Sequence, residues 1–159
     1  TWRNPDKYPA HDPLAPAKVG FEYAFAVTLA AQPLGWFEAT CLPAAAFALA
    51  PVLRQYRQLM ADWHSRTIMP IGEEPSGTSW TGFQALGERD GWLLVYREHT
   101  QRPSAKLALW GLRGRQLQCR ALFGAGQDFT ATVDAEDGTL RCALPSPLSY
   151  AFYHYQVVD

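Results

Sequence analysis

Leu117-Gln118-Cys119-Arg120-Ala121 alternates apolar and polar side chains with a period of two, and Leu140-Arg141-Cys142-Ala143-Leu144 repeats the pattern. Successive side chains of a strand point to opposite faces, so this alternation predicts half-buried strands. Leu107 and Leu109, alternating with Lys106 and Ala108, predict another. Between these runs stand turn signals at short, fairly regular intervals: Asp90-Gly91, Gly111-Leu112-Arg113-Gly114, Gly124-Ala125-Gly126 and Asp137-Gly138. Antiparallel hairpins follow. Trp92-Leu93-Leu94-Val95-Tyr96 is apolar on both faces and reads as a central strand, and the aromatic run from Tyr150 to Val158 closes the domain. Residues 66–159 are therefore predicted to form an antiparallel β-sandwich of seven or eight strands. Leu94, Tyr96, Leu107, Leu109, Leu117, Val133, Leu140 and Leu144 are expected on its inner faces.

Before His64 the period is helical. Val52, Tyr56, Leu59 and Trp63 mark one face of an amphipathic helix, with Arg54, Arg57, Gln58 and Asp62 elsewhere. Pro51 suits its first turn, where the missing donor is not needed, and Pro43 can open a shorter helix before it. Residues 19–31 place Phe21, Phe25 and Leu29 on one side and Tyr23 and Val27 on another. A helix apolar on nearly every side needs neighbours all round. Pro33 ends it, and Leu34-Gly35-Trp36-Phe37-Glu38 reads as a short buried strand. The first 17 residues, with Pro5, Pro9, Pro13 and Pro16, read as a loop or tail. The chain thus divides into a helical segment, residues 1–65, and the β-domain, residues 66–159. The fold class is mainly β, two helices preceding an antiparallel sandwich.

The 159 residues suffice for a real core, and 48% hydrophobic against 18% charged excludes a disordered chain. The 14 basic residues nearly cancel the 15 acidic ones, so no general electrostatic bias toward nucleic acid or anionic lipid is expected, and any such binding would be local. The richest apolar stretch, Phe21 to Ala31, is short of the roughly 18 residues of a membrane span and is interrupted by Glu22 and Thr28. Cys41, Cys119 and Cys142 are odd in number without metal-type spacing, which predicts buried thiols and favours a reducing, cytoplasmic compartment. The start at Thr1 has neither an initiator methionine nor a signal peptide, and a piece of a longer protein is expected.

Four scattered histidines, His11, His64, His99 and His154, offer no metal site, no cofactor motif is present, and Gly124-Ala125-Gly126 lacks the context of a phosphate loop. Arg113, Arg115 and Arg120 read as solvent-face charges. Glu73-Glu74, beside Pro75, read as a solvated loop rather than a converging carboxyl pair. Sugar recognition stacks a pyranose on an aromatic ring while carboxylates and amides take the hydroxyls. Of the six tryptophans, Trp63, Trp92 and Trp110 are assigned to the core. Trp2, in the proline-rich loop with Asn4 and Asp6, and Trp36, two residues before Glu38 on one strand face, are the candidate sugar-binding residues.

Five features resemble the C-terminal end of the α-galactosidase type of glycoside hydrolase. Trp2-Arg3-Asn4-Pro5-Asp6 is similar to a Trp-Asn-Asp-Pro-Asp stretch on a late barrel loop of that clan, with Arg3-Asn4 where the family has Asn-Asp. An apolar helix (residues 19–31) follows. Pro33-Leu34 enters a strand at the place of the last barrel strand, and Leu42 to Trp63 matches the final barrel helix region. The chain then switches to strands at Gly77-Thr78-Ser79-Trp80-Thr81-Gly82-Phe83 and Trp92 to Tyr96, where the family's β-domain begins.

The resemblance implies the end of a (β/α)8 barrel, residues 1–65, followed by a β-domain that braces it. It also implies a retaining mechanism with two aspartates on earlier barrel strands, which would precede Thr1. No catalytic residue carries over, and this chain alone is expected to be inactive. The expected partners are carbohydrate and the N-terminal barrel portion, and without that portion residues 19–40 are expected to drive self-association. The alternative, from another class, is a stand-alone carbohydrate-binding β-sandwich with residues 1–65 as a helical collar.

Overall fold

The computed structural model describes residues 11–12, 18–33 and 44–159. They fall into two compact units, Thr1–Ala61 and Asp62–Asp159. The protein is mainly β, with antiparallel sheets and helices near the N-terminus.

In the first unit, α1 spans only Phe21–Ala26. The expectation of a helix over residues 19–31 is corrected by the hydrogen bonds that follow. Thr28, Leu29 and Ala31 donate to carbonyls three residues back, Phe25, Ala26 and Thr28, and the Thr28 hydroxyl also takes the Phe25 carbonyl at 2.7 Å. A Thr side chain competing for a helix carbonyl converts the next turn to a tighter, irregular one. Phe21, Tyr23 and Phe25 remain partly exposed, and Val27 is exposed. Phe25 meets Tyr56 edge-on at 5.9 Å, and the buried Tyr56 hydroxyl, pushed up to about 12 by desolvation, donates to the Leu29 carbonyl.

Helices α2, Ala44–Phe47, and α3, Ala50–Ser65, follow. The amphipathic reading of α3 holds: Tyr56, Leu59 and Trp63 are buried, while Arg54, Arg57, Gln58 and Asp62 are exposed. Its last turn, from Asp62, belongs to the second unit. The short strand expected at 34–38 lies outside the described residues.

The second unit has eight strands: β1 Ile68–Gly72, β2 Trp80–Ala85, β3 Asp90–Arg97, β4 Ser104–Ala108, β5 Gln116–Gly124, β6 Phe129–Thr132, β7 Thr139–Ala143 and β8 Ser149–Val157. Six form one sheet in the order β1-β2-β3-β8-β5-β6, and β4 pairs with β7 in a second. Every pairing is antiparallel. Pro70 is tolerated because β1 is an edge strand, where a missing donor breaks no interior ladder.

The two sheets enclose one core. Trp80, Leu93, Val95, Leu117, Ala151, Tyr153 and Tyr155 of the large sheet pack with Leu107, Leu140 and Cys142 of the small one. All eight side chains expected to be buried are buried. Two of them face the other way, however. Leu93 and Val95 point into the core, so in a period of two Leu94 and Tyr96 lie on the opposite face, opposite Phe152 and Tyr150 in register. That outer face is also buried at Leu94, Tyr96, Tyr150, Phe152 and Phe123.

A bulge in β5 between Ala121 and Phe123 brings Phe123 into register with Phe152. The two rings stack at 4.9 Å, and Trp63 from α3 covers Phe152 at 5.1 Å. An extra residue in one strand re-aims the side chains beyond it, which is how Phe123 joins an aromatic row on the outer face. Arg97, only 4% exposed, donates to the Thr100 and Leu144 carbonyls and so ties β3 to the chain leaving β7. Cys119 and Cys142 are free, buried thiols, both pushed up to about 12 by desolvation. Cys41 lies outside the described residues.

Candidate functional site

Trp2, Asn4, Asp6, Trp36 and Glu38 all lie outside the described residues. What the fold does assemble is a polar cluster at one end of the outer sheet face. Asp90 opens β3 opposite Gln156, and two residues on, Trp92 faces His154 across the β3–β8 ladder. The period of two puts Asp90, Trp92 and His154 on one face. Arg66, just past α3, donates to the Asp90 carbonyl at 2.7 Å and to both Asp90 carboxylate oxygens at 3.3 Å. It also donates to Asp62 at 3.0 and 3.2 Å, a pairing one helical turn back along the chain. The Trp92 indole N–H donates to Asp62 Oδ2 at 2.6 Å, and its ring lies 4.6 Å from the His154 imidazole.

His154 Nε2 meets Asp90 Oδ2 at 3.1 Å. The hydrogen bond from His154, then those from Arg66, hold the Asp90 carboxyl below the usual aspartate range against the opposing effect of desolvation. An ionised carboxylate only accepts, so Nε2 carries the proton of this contact. The arrangement limits the chemistry. Hydrolysis with retention needs two carboxyl groups about 5 Å apart, one free to attack and one protonated. Here a guanidinium lies between Asp62 and Asp90, and Asp90 is kept ionised. The cluster is a clamp, not an acid/base pair.

Beside it opens a concavity of about 430 Å³ lined by Gln118, Arg120, Asp128, Thr130, His154 and Gln156. These come from adjacent strands in register, with Gln118 opposite both Gln156 and Thr130, and Arg120 opposite His154. The surface offers amide, hydroxyl and charged groups to a polar ligand. Glu73 is engaged elsewhere: Arg102 grips both its oxygens, one at 2.6 Å, and the Trp80 amide donates to it at 3.2 Å. Glu74 is exposed beside it, so the two carboxylates do not converge on one site. Among the described residues no three His, Cys, Asp or Glu side chains gather as metal ligands.

Two tryptophans assigned to the core are placed otherwise. Trp92 is half-buried in the clamp, and Trp110 is 49% exposed. The sequence reading missed the clamp as a unit. Asp62 and Arg66 stand four apart and could have been paired from spacing alone, but Asp90 and His154 meet only once the β3–β8 register is known.

The clamp sets a pH dependence. Because the Asp90 pKa is lower folded than unfolded, the unfolded chain binds more protons in the window between the two values, and stability rises with pH there. The contribution is complete above about pH 4, the ordinary aspartate value, and is lost as pH falls through the lower folded one. With the side chain 43% exposed, solvent screening limits it to about 1 kcal/mol or less. Urea midpoints measured from neutral pH downward should show Asp90→Asn converging on the unsubstituted chain in acid. A gap that stays constant would remove the carboxylate's charge as its source.

Comparison with protein-family models, with curated proteins and with solved structures finds no match for this chain.

Proposed function

We propose that this chain is the C-terminal part of a glycoside hydrolase of the α-galactosidase type, contributing the last barrel elements and an antiparallel β-domain that braces the barrel and performs no chemistry. The observation that carries the reading is the double burial of β3 and β8. Leu93, Val95, Ala151 and Tyr153 face the small sheet, while Leu94, Tyr96, Tyr150 and Phe152 are buried on the other side. A free-standing two-layer sandwich turns its outer faces to water and carries polar side chains there. A sheet apolar on both faces at its centre suits a domain packed between two layers.

The clamp agrees with a bracing role, since Arg66 engages both carboxylates and leaves no acid/base pair. The part-exposed aromatics of α1 agree with elements that take their neighbours from further barrel, and self-association through residues 19–40 is part of the same proposal. Substrate contacts at Trp2, Asn4, Asp6, Trp36 and Glu38 belong to the intact enzyme in this reading.

The chain alone should not hydrolyse aryl α-galactosides. A protein translated from the longer reading frame should do so with retention of configuration. Turnover by the chain alone that survives repurification, or a longer protein with no glycosidase activity, would overturn the proposal.

A further inference from the structure

Trp110 breaks the rule that a large aromatic following a strand belongs inside. Leu107 and Leu109 are buried, and Trp110, the next outward position, is 49% exposed. It is nonetheless fixed. Its backbone N–H donates to Gln84 Oε1 at 2.8 Å, its carbonyl accepts from Gln84 Nε2 at 3.0 Å, and its indole N–H donates to the Pro70 carbonyl at 2.9 Å. Gln84 is wholly buried on the core face of β2. A buried amide is costly unless both of its ends are bonded, and here both ends close on the peptide of an exposed residue.

The ring so held has spent its one donor. What it offers outward is a rigid apolar face, the group that stacks on the C–H face of a sugar ring. Beside it lies a concavity of about 370 Å³, walled by Pro70, Ile71, Gly72 and Leu109, with Arg113 and Asp137 at its polar end. Arg113 donates Nη1 to the Glu136 carbonyl at 2.9 Å and keeps further N–H groups. Asp137 Oδ1 accepts from the Thr139 hydroxyl and amide at 2.6 and 2.9 Å, and Oδ2 from Lys106 at 3.4 Å, which fixes the carboxylate. Gly111, with φ at +69°, turns the chain away, and a Cβ placed there would meet nothing.

We propose that Trp110 is the platform of a carbohydrate-binding subsite on the β unit, stacking a hexopyranose on its indole while Arg113 and Asp137 take ring hydroxyls. A donor and an acceptor side by side suit neighbouring hydroxyls. The volume is in the range of small-ligand pockets, about 300–1,000 Å³, and the mixed rim suits a sugar better than a flat protein surface, which needs about 800 Å² per partner. The choice of carbohydrate as ligand class rests on the glycoside hydrolase reading above; the platform itself does not.

The test is a two-dimensional NMR titration of the full 159-residue chain with raffinose, maltotriose and cellotriose at millimolar concentrations. At least one glycan should shift the Trp110 indole and the Gly111 amide, identified by comparison with Trp110→Phe. Trp110→Ala should weaken binding about tenfold or more and Trp110→Tyr should retain most of it, as stacking requires. Gln84 bonds residue 110 through its backbone alone and also reaches the Tyr155 hydroxyl, so the alanine variant keeps its fold, and unchanged dispersion elsewhere checks this. Trp110 signals unmoved by all three glycans, or equal binding by Trp110→Ala, would overturn the inference. Shifts at Trp110 alongside a longer protein without glycosidase activity would sink the enzyme reading and leave this subsite standing; the reverse result would sink the subsite alone.

Discussion

Replacing Trp80 with alanine should destabilise the β unit by about 3–5 kcal/mol, the range for deleting a buried aromatic. Trp80 is fully buried at the head of β2 and lies in the cluster shared by the two sheets. Its indole N–H donates to the Arg102 carbonyl at 3.0 Å, so truncation opens a cavity and also leaves that carbonyl without its partner. The same short segment supports the Glu73 and Arg102 pair, because Glu73 accepts from the Trp80 amide while Arg102 grips its carboxylate. A domain of this size has about 5–15 kcal/mol in all, so the variant approaches the limit of folding. The melting temperature should fall by something on the order of 20 °C. Trp110→Ala, made in parallel, should change stability by less than about 1 kcal/mol, since its ring is half in water and its peptide bonds to Gln84 survive. Thermal melts of the two variants decide the matter: equal losses would mean that Trp80 is not the interior residue and Trp110 not the exterior one.

The contrast between those two tryptophans shows what the sequence held and how it was read. The alternation that predicted β4 makes Leu107 and Leu109 inward and Ala108 outward, and the same count puts Trp110 outward. Its assignment to the core followed residue type against the pattern, and the pattern was right. The strands themselves were legible because one buried face imposes a period of two, and most of the turns because glycine takes the left-handed backbone at Gly111, Gly114, Gly124 and Gly138; Asp90-Gly91, expected as a turn, instead opens β3, with Gly91 paired to Tyr155.

The double burial of Trp92 to Tyr96 was visible as an unbroken apolar run, but which side chain faces which layer was not. That depends on partners distant in sequence, here Leu93 with Tyr153 and Leu94 with Phe152. The β5 bulge was invisible for a similar reason, being defined only by its register against β8. The length of α1 failed on local competition: Thr28 is an ordinary residue in a composition count, yet its hydroxyl takes the carbonyl that the helix would have used. Of the clamp, the Asp62 and Arg66 pair was accessible to spacing, whereas Asp90 and His154 stand 64 residues apart and needed the sheet.

Gly82→Val should be among the most damaging small changes in the sheet. Gly82 pairs with Val95 across the β2–β3 ladder, and a Cβ added there would lie 2.2 Å from the Leu94 carbonyl oxygen and 3.2 Å from the Val95 Cα. Both are backbone atoms, so no flexible side chain can yield, and the strands must part. Gly82 is not among the glycines with positive φ, so the whole cost is this contact and none of it is conformational strain. Gly114 gives the complementary case: its φ is +73°, but the nearest atom to an added Cβ is the Ala135 Cβ at 3.7 Å. Gly114→Ala should therefore cost about 1 kcal/mol, the strain of a left-handed residue with a side chain. Gly82→Ala should already exceed about 3 kcal/mol, and valine should go further, into the range reserved for overpacked cores and broken ladders.

Separation of β2 from β3 would also pull Phe83 away from Leu94, so one substitution would disturb the outer face together with the core. Urea unfolding of the three glycine variants provides the measurement. If Gly82→Ala cost no more than Gly114→Ala, β2 and β3 would have to lie farther apart at this point than the close approach to Leu94 allows, and the case for a sheet tightly layered on both faces would weaken with it.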